Sequence, residues 1–245
     1  MPLVTDSTIR SLRQEIRKSL EANSDLAYLE EIRGFVPGPS AMIGVRVPVL
    51  RELVKKFKSE HKEVTIELAS QLLTEFCRKR CREEILFGVF LLASFSRKFS
   101  VEMLPEIWEH LNEWVDCIDN WETCDQLAMH VAGEVVAMDP SLTNDLVEWA
   151  SSDNRWRRRF AVATTTVLNQ KGRRHVKETL AVCEPLMTDA DPMVQKAVGW
   201  ALREATRSNE DAVFAFLKRW KGKANRRIFR EGAQKLSTNF KDALS

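Results

Sequence analysis

An aromatic ring and a carboxylate stand one helical turn apart in the segment DNWETCDQLA, residues 119–128. Asp119 or Asn120 can cap a helix that begins here, and Trp121 and Asp125 then share one face of it. A carboxylate can stabilise a developing cation or orient an attacking water, and the face of an indole attracts positive charge. The pair is therefore a candidate for chemistry on a cationic group, although Asp125 could instead pair with an arginine of a neighbouring helix.

A second ring, Trp200, lies in the segment DPMVQKAVGWALREATR, residues 191–207. One arc of this helical wheel is apolar and predicts the buried face: Val194, Ala197, Val198, Ala201, Leu202 and Ala205. Trp200 falls on the opposite side together with the cations Lys196, Arg203 and Arg207. An aromatic ring among cations is typical of a nucleic-acid surface. The alternative is that the next pair of helices covers the ring.

Arginines crowd the start of a third predicted helix, residues 153–170. Its predicted core arc is Trp156, Phe160, Ala163 and Val167, with Arg159 at the margin and Arg155, Arg157 and Arg158 farther round. Cations at a helix start oppose the helix dipole, so helix stability does not explain them. Phosphate binding would explain them. The alternative is that they belong to a generic charged surface. Residues 225–240 continue the pattern with Arg226, Arg227 and Arg230 outward and Ile228, Phe229, Gly232, Leu236 and Phe240 inward.

The net charge of +2 conceals an uneven distribution. Residues 155–245 contain 20 Lys and Arg against 9 Asp and Glu, whereas residues 1–154 contain 17 against 26. A basic half suggests a polyanionic partner, with nucleic acid the first candidate. The alternative is a solvated surface that is unevenly charged and binds no polyanion.

Several classes of protein do not fit the sequence. MPLVTDSTIR has no apolar core typical of a secretory signal, and the longest apolar run, residues 85–95, is too short to span a bilayer. Cys77 and Cys81 lack the partners of a zinc site, and no Gly-rich phosphate loop or Ser/His/Asp arrangement is present. We therefore expect a cytoplasmic protein with reduced thiols, no metal, no cofactor and no membrane association.

Helical periodicity dominates the chain and predicts an all-α fold of about a dozen helices, each about 10–17 residues long. The one long break is residues 34–48, where Pro and Gly recur. Trp121, Trp156 and Trp200 recur at intervals of 35 and 44 residues, near the roughly 40–47-residue period of helical-pair repeats. The prediction is a superhelical solenoid of HEAT-like antiparallel helix pairs with a concave basic face, forming a single domain over residues 1–245.

Together these segments resemble the AlkD-like family of HEAT-repeat DNA glycosylases. The resemblance rests on N-W-x-x-x-D at 120–125, W-x-x-R at 156–159, K-A-x-G-W-x-L-R-E at 196–204, G-V-R-V-P-x-L-R at 44–51 and the helix REEILFGVFLLASF. It covers about residues 40 to 210. Each piece alone is weak, and the combination is specific.

The resemblance implies excision of positively charged N3- and N7-alkylated purines from duplex DNA, without a base-flipping pocket. It makes Asp125 the catalytic carboxylate and Trp121 and Trp200 the aromatic residues of the cleft. Arg159 and Arg203 would contact DNA, and the basic faces add Lys196, Arg158 and Arg207 as further DNA-binding candidates. The departing base is already cationic, so one carboxylate suffices where most glycosidases use two.

Two other functions stay open at this point. A non-catalytic HEAT-repeat protein that binds distorted DNA would keep the basic surface without turnover. A protein-binding scaffold would also expose Trp and charge, but its DNA binding would be weak and insensitive to salt. We expect the partner to be double-stranded DNA containing alkylated purines and the protein to be a monomer.

Overall fold

The structure, a computed structural model, describes residues 6–38, 40–170 and 172–244. Over these residues the chain is all-α, as predicted, with one isolated bridge between Ala41 and Cys81 and no β-strand. The α-helices are α1 (Asp6–Ala22), α2 (Leu26–Phe35), α3 (Val47–Glu60), α4 (Ile66–Lys79), α5 (Arg82–Ala93), α6 (Leu104–Trp114), α7 (Trp121–Leu127), α8 (Gly133–Met138), α9 (Thr143–Trp149), α10 (Arg155–Thr164), α11 (Val176–Cys183), α12 (Pro192–Thr206), α13 (Glu210–Trp220), α14 (Arg226–Gly232) and α15 (Thr238–Leu244). A π-helix, Ala128–Ala132, continues α7.

The chain divides into two compact units, Met1–Val131 and Ala132–Ser245. In the first unit α5 is the central helix and packs against α1, α3, α4 and α7. In the second unit α12 is central and packs against α10, α11, α13 and α14. Within each unit, alternate helices of the chain pack side by side in a row, which is the pattern of a helical-repeat fold. That all 245 residues form a single domain stays a prediction.

The long break in the helical pattern is shorter than predicted. Gly34 and Phe35 still belong to α2, and Val47 and Pro48 already belong to α3. Proline is tolerated in the first turn of a helix, because its missing N–H has no partner there in any case. The connection is therefore residues 36–46, of which Pro39 lies outside the described residues. Several helices are also shorter than the expected length, since 3₁₀ turns interrupt them.

The predicted apolar arcs are largely confirmed as core. All six arc residues of α12 are inaccessible to solvent: Val194, Ala197, Val198, Ala201, Leu202 and Ala205. The apolar residues on one side of the 119–135 segment are inaccessible too: Cys124, Leu127, Ala128, Val131 and Val135. In the other two segments Val167, Phe229 and Phe240 are only half-buried. All five cysteines are free thiols. Among the helices of the described residues, none is long and apolar enough to cross a membrane.

Candidate functional site

The first part of the candidate site is the start of α7, in the first unit. Asn120 caps the helix, because its side chain accepts a hydrogen bond from the Thr123 N–H at 3.0 Å. Trp121 follows as the first helical residue and is half-buried. Asp125, one turn later, exposes 6% of its surface. A carboxylate that is nearly removed from water beside an indole is a candidate for chemistry.

The backbone changes character directly after Asp125. Ala128 to Ala132 form a π-helix, a distortion that adds a residue to the helical turn and is frequent at functional sites. Both alanines are buried. The backbone that follows the carboxylate is therefore an irregular turn that begins and ends with a small side chain.

Trp121 is fixed by the end of α2. Its indole Nε1 donates a hydrogen bond to the carbonyl oxygen of Phe35 at 3.2 Å. The two rings meet edge to face, with centroids 5.4 Å apart and an interplanar angle of 88°. Trp121 also packs against a small apolar cluster formed by Tyr28, Ile32 and Val36. The ring is therefore anchored along part of its surface.

The connection 36–46 is attached to the residues just before α7. The hydroxyl of Ser40 donates to the carboxylate of Asp119, with oxygen distances of 2.7 and 2.8 Å. Gly38 lies so close that a Cβ there would be 2.7 Å from the Asp119 carbonyl oxygen. Only glycine permits this approach. Phe35 and the start of α7 are thus held together from two sides.

A buried ion network, which we define as Arg82, Glu83 and Glu122, connects α5 to α7. The guanidinium of Arg82 is inaccessible to solvent and donates to Glu122 at 2.6 Å and to Glu83 at 2.7 Å. It also donates to the Tyr28 hydroxyl at 3.2 Å and to the Val45 carbonyl at 3.4 Å. Burial disfavours the charged guanidinium, but the bond to Glu122 and the nearby carboxylates outweigh it and raise the pKa of Arg82.

Glu83 extends this network to the backbone of the connection 36–46. Its carboxylate accepts hydrogen bonds from the N–H groups of Ile43, Gly44 and Val45, at 2.9, 3.1 and 3.3 Å. Three backbone donors and one guanidinium satisfy a charge that would otherwise be costly to bury. The segments G-V-R-V-P and R-E, which sequence alone places far apart, therefore form one structural unit with Glu122.

Arg46, just before α3, is half-exposed. Its guanidinium lies 4.3 Å above the ring of Tyr28 and pairs with Asp25 at 3.3 Å. Asp25 caps α2 by accepting from the Tyr28 N–H, and that bond, aided by Arg46, lowers the pKa of Asp25. A cation is therefore displayed on the same apolar cluster that holds Trp121.

The second part of the candidate site is the start of α10, in the second unit. Asn154 caps the helix, and Arg155 lies exposed, 4.7 Å above the ring of Trp156. Arg158 is engaged within the protein, donating to Asp189 at 2.7 Å and to the carbonyl of Ser152 at 2.8 Å.

Arg159 is buried more deeply than its marginal place on the helical wheel predicts. It exposes 5% of its surface, and its guanidinium donates to the carbonyl of Met193 at the start of α12. Arg159 therefore joins α10 to α12 whatever else it contacts.

On α12 the predicted cations differ in their surroundings. Lys196 is exposed, Trp200 is half-buried, and Arg207 is exposed and pairs with Glu204 at 3.0 Å. Arg203 is partly buried and lies 3.5 Å from a carboxylate oxygen of Glu231 on α14. Trp200 is thus neither fully displayed nor fully covered, and its contact with DNA stays a prediction.

Gly199 explains how Glu231 comes so close to α12. A Cβ at residue 199 would lie 2.6 Å from the Cβ of Glu231, so only glycine allows α14 to pack at this distance. Arg227, one turn before Glu231 on α14, donates to the same carboxylate at 2.9 Å. Gly199 and Arg203 of the K-A-x-G-W-x-L-R segment are therefore structurally coupled through α14.

Sequence reasoning missed the buried ion network entirely. The available signal was three consecutive charged residues, Arg82 to Glu84, at the start of a helix that is otherwise almost wholly apolar. Trp121 and Asp125 belong to the first unit, whereas Trp200 and the predicted arginines belong to the second. That the two sets meet on one groove stays a prediction. Across the described residues, no group of three or more His, Cys, Asp or Glu side chains could hold a metal ion.

The fold and these two sites define an all-α helical-repeat protein with a carboxylate beside an indole in one unit and a cationic surface in the other. Residues 16–236 match the family of DNA alkylation repair enzymes, and the chain belongs to that family. This membership supports a role in DNA repair, with DNA as the substrate.

A solved structure points to the same fold. It is described as a predicted DNA alkylation repair enzyme from Enterococcus faecalis and aligns with a TM-score of 0.71 and 19% identity, over 88% of this chain and 98% of that chain. At this identity the likeness concerns the fold alone. The comparison with curated proteins gives no match.

Proposed function

We propose that the protein is a DNA glycosylase that excises cationic N3- or N7-alkylated purines from duplex DNA. Asp125 carries the proposal, because its carboxylate is nearly buried, one turn after an anchored indole, on a capped helix. Membership of the DNA alkylation repair family supports this assignment.

The chemistry requires no general acid. Alkylation at N3 or N7 gives the purine a positive charge, so the bond between C1′ and the base nitrogen breaks with its electron pair going to the base, which leaves neutral. The deoxyribose is left as an oxocarbenium-like cation, and the oxygen of a water adds to C1′. Asp125 stabilises that cation and accepts the proton of the water.

The aromatic and basic residues have separate roles in this proposal. Trp121 lies beside the sugar, because its π face favours the developing positive charge. Trp200, in the second unit, is the second aromatic residue of the proposal and offers a π face to the DNA. The exposed Lys196 and Arg207 hold the phosphates and fix the register of the duplex without reading its sequence. Arg159, Arg158 and Arg203 also bond to partners inside the protein, so they support this basic surface from within as well as contacting DNA at its edge. Because the lesion is not drawn into a pocket, bulky substituents on the base need not be excluded.

The direct test is release of 7-methylguanine from alkylated duplex DNA by the wild-type protein and by Asp125→Asn. We expect the variant to lose excision while its affinity for DNA is retained, because Asn keeps the size of the side chain and removes its charge. Asp116→Asn, at an exposed carboxylate, is the matched control and should excise at the wild-type rate. Full activity of Asp125→Asn would exclude Asp125 from the chemistry.

The same assay separates the two other functions. Salt-sensitive binding of duplex DNA with no excision by the wild-type protein would identify a binding protein for distorted DNA. Weak binding that does not respond to salt would identify a protein-binding scaffold.

A further inference from the structure

Phe35 is an exposed aromatic residue beside the candidate active site. It is the last residue of α2 and exposes 67% of its surface. A single exposed apolar side chain is ordinary on a soluble protein and indicates nothing by itself. Leu26, at the other end of the same helix, exposes 75%. Phe35 differs from Leu26 in what holds it in place.

Four contacts fix the position of Phe35 and the chain after it relative to α7 and the residues just before α7. Its carbonyl accepts the Trp121 indole N–H at 3.2 Å, and its ring meets that indole edge to face at 5.4 Å. The chain just after it is tied to Asp119 by the Ser40 hydroxyl and by the close approach of Gly38. The backbone of Phe35 is thus fixed next to a proposed catalytic residue, and its exposed ring rests edge to face on the Trp121 indole.

A ring that already packs against a neighbouring ring loses less conformational entropy when a ligand stacks on it than a ring without such a contact. Aromatic side chains accept nucleobases and sugars without regard to sequence, because every base has a π face. Arg46 lies half-exposed above Tyr28, on the apolar cluster that also packs against Trp121, and pairs with Asp25 at 3.3 Å. We expect a neighbouring phosphate to compete with Asp25 for this cation. An aromatic surface next to a cation suits a nucleic-acid strand better than an apolar protein partner.

We propose that Phe35 is a substrate-contacting residue that stacks on the sugar or base next to the damaged nucleotide. The proposal rests on the proposed function, since it takes the lesion to lie at Trp121 and Asp125. Phe35 carries no charge, so its contribution to binding is independent of salt. It belongs to the recognition of the strand and takes no part in proton transfer.

The test compares Phe35→Ala with Leu26→Ala, which removes a similar exposed apolar area from the same helix. Binding is measured to a duplex with a tetrahydrofuran abasic analogue at two salt concentrations, and excision of 7-methylguanine is measured in single turnover. We expect Phe35→Ala to weaken binding and slow excision by about tenfold with an unchanged salt slope. Leu26→Ala should match the wild type.

Two further variants separate stacking from packing. Phe35→Tyr keeps the flat ring and should keep wild-type binding and excision, whereas Phe35→Leu keeps apolar contact with Trp121 but lacks a stacking face and should behave like Phe35→Ala. Full activity of Phe35→Leu, or wild-type behaviour of Phe35→Ala, would overturn the proposal. If the wild-type protein does not excise, the glycosylase proposal fails, and the binding measurement alone still decides the role of Phe35.

Discussion

Replacing Arg82 should destabilise the first unit more than any surface substitution there. Arg82→Ala removes the hydrogen bonds to Glu122, Glu83, the Tyr28 hydroxyl and the Val45 carbonyl. Glu83 keeps its three backbone donors, but Glu122, with a side chain 10% exposed, loses its cationic partner.

The expected magnitude follows from leaving a carboxylate buried without its partner. Breaking one side of a buried ion pair costs about 3–5 kcal/mol, which is a large part of the roughly 5–15 kcal/mol that stabilises a typical domain. The cavity left by the fully buried Arg82 side chain adds to this cost. We therefore expect Arg82→Ala to lose at least about 3 kcal/mol.

The assay is urea unfolding followed by circular dichroism and tryptophan fluorescence. Arg33→Ala is the matched control, because it removes an exposed arginine that pairs with Glu30 at 2.8 Å, and exposed pairs contribute only about 0–1 kcal/mol. The double variant Arg82→Met/Glu122→Gln also removes the charge of Glu122 and leaves Glu83 with its three backbone donors, so it should recover part of the loss. A loss below about 1 kcal/mol in Arg82→Ala would refute the view that this network anchors α7.

Three smaller perturbations test other parts of the structure. Gly199→Ala should destabilise the protein by about 1–3 kcal/mol in urea unfolding, because the new Cβ would collide with Glu231, and the gain in helix propensity of about 1 kcal/mol does not offset this. Lys196→Ala should lower the slope of log affinity against log salt by about 1 with unchanged stability, so an unchanged slope would remove Lys196 from the DNA surface. The His61 ring is hydrogen-bonded to the carboxylate of Glu15 at 2.8 Å. Burial lowers the pKa of His61, but its hydrogen bonds to carboxylates outweigh burial and raise that pKa overall. Its stabilising effect should be complete below the unfolded pKa of about 6.5 and be lost as the pH rises through the folded value, and His61→Gln should abolish that pH dependence of unfolding.

The sequence predicts the all-α fold and its buried faces well, because apolar periodicity reports directly which side of a helix is covered. The arc of α12 and the cap at Asn120 are examples. Periodicity does not report which distant residues pair. Arg82 and Glu122 are separated by 40 positions, and only the packing of α5 on α7 brings them together.

The surroundings of the predicted site residues are harder to predict from the sequence, because they too depend on which distant residues pair. A helical wheel puts Arg159 at the margin of the apolar face of its helix. In the structure the residue is buried, and its guanidinium donates a hydrogen bond to the carbonyl of Met193. Arg159→Ala would therefore remove a buried hydrogen bond between α10 and α12, and a change in DNA binding would be mixed with a loss of stability. The exposed Lys196 is the cleaner probe of phosphate contact.

The buried ion network raises the question of why charged residues, and not apolar ones, occupy the interior next to the candidate site. Apolar side chains of similar volume could join α5 to α7 with equal or greater stability, so stability alone does not account for Arg82, Glu83 and Glu122. Apolar contacts tolerate small displacements, whereas the bonds of a guanidinium to two carboxylates have fixed directions. Glu122 follows Trp121 directly, and Glu83 holds residues 43–45, so one guanidinium sets the position of both segments. In the proposed mechanism a carboxylate must meet one atom of a sugar, and the reaction rate is then sensitive to displacements of about 1 Å. A directional network of hydrogen bonds can hold a side chain within that distance, whereas an apolar contact cannot.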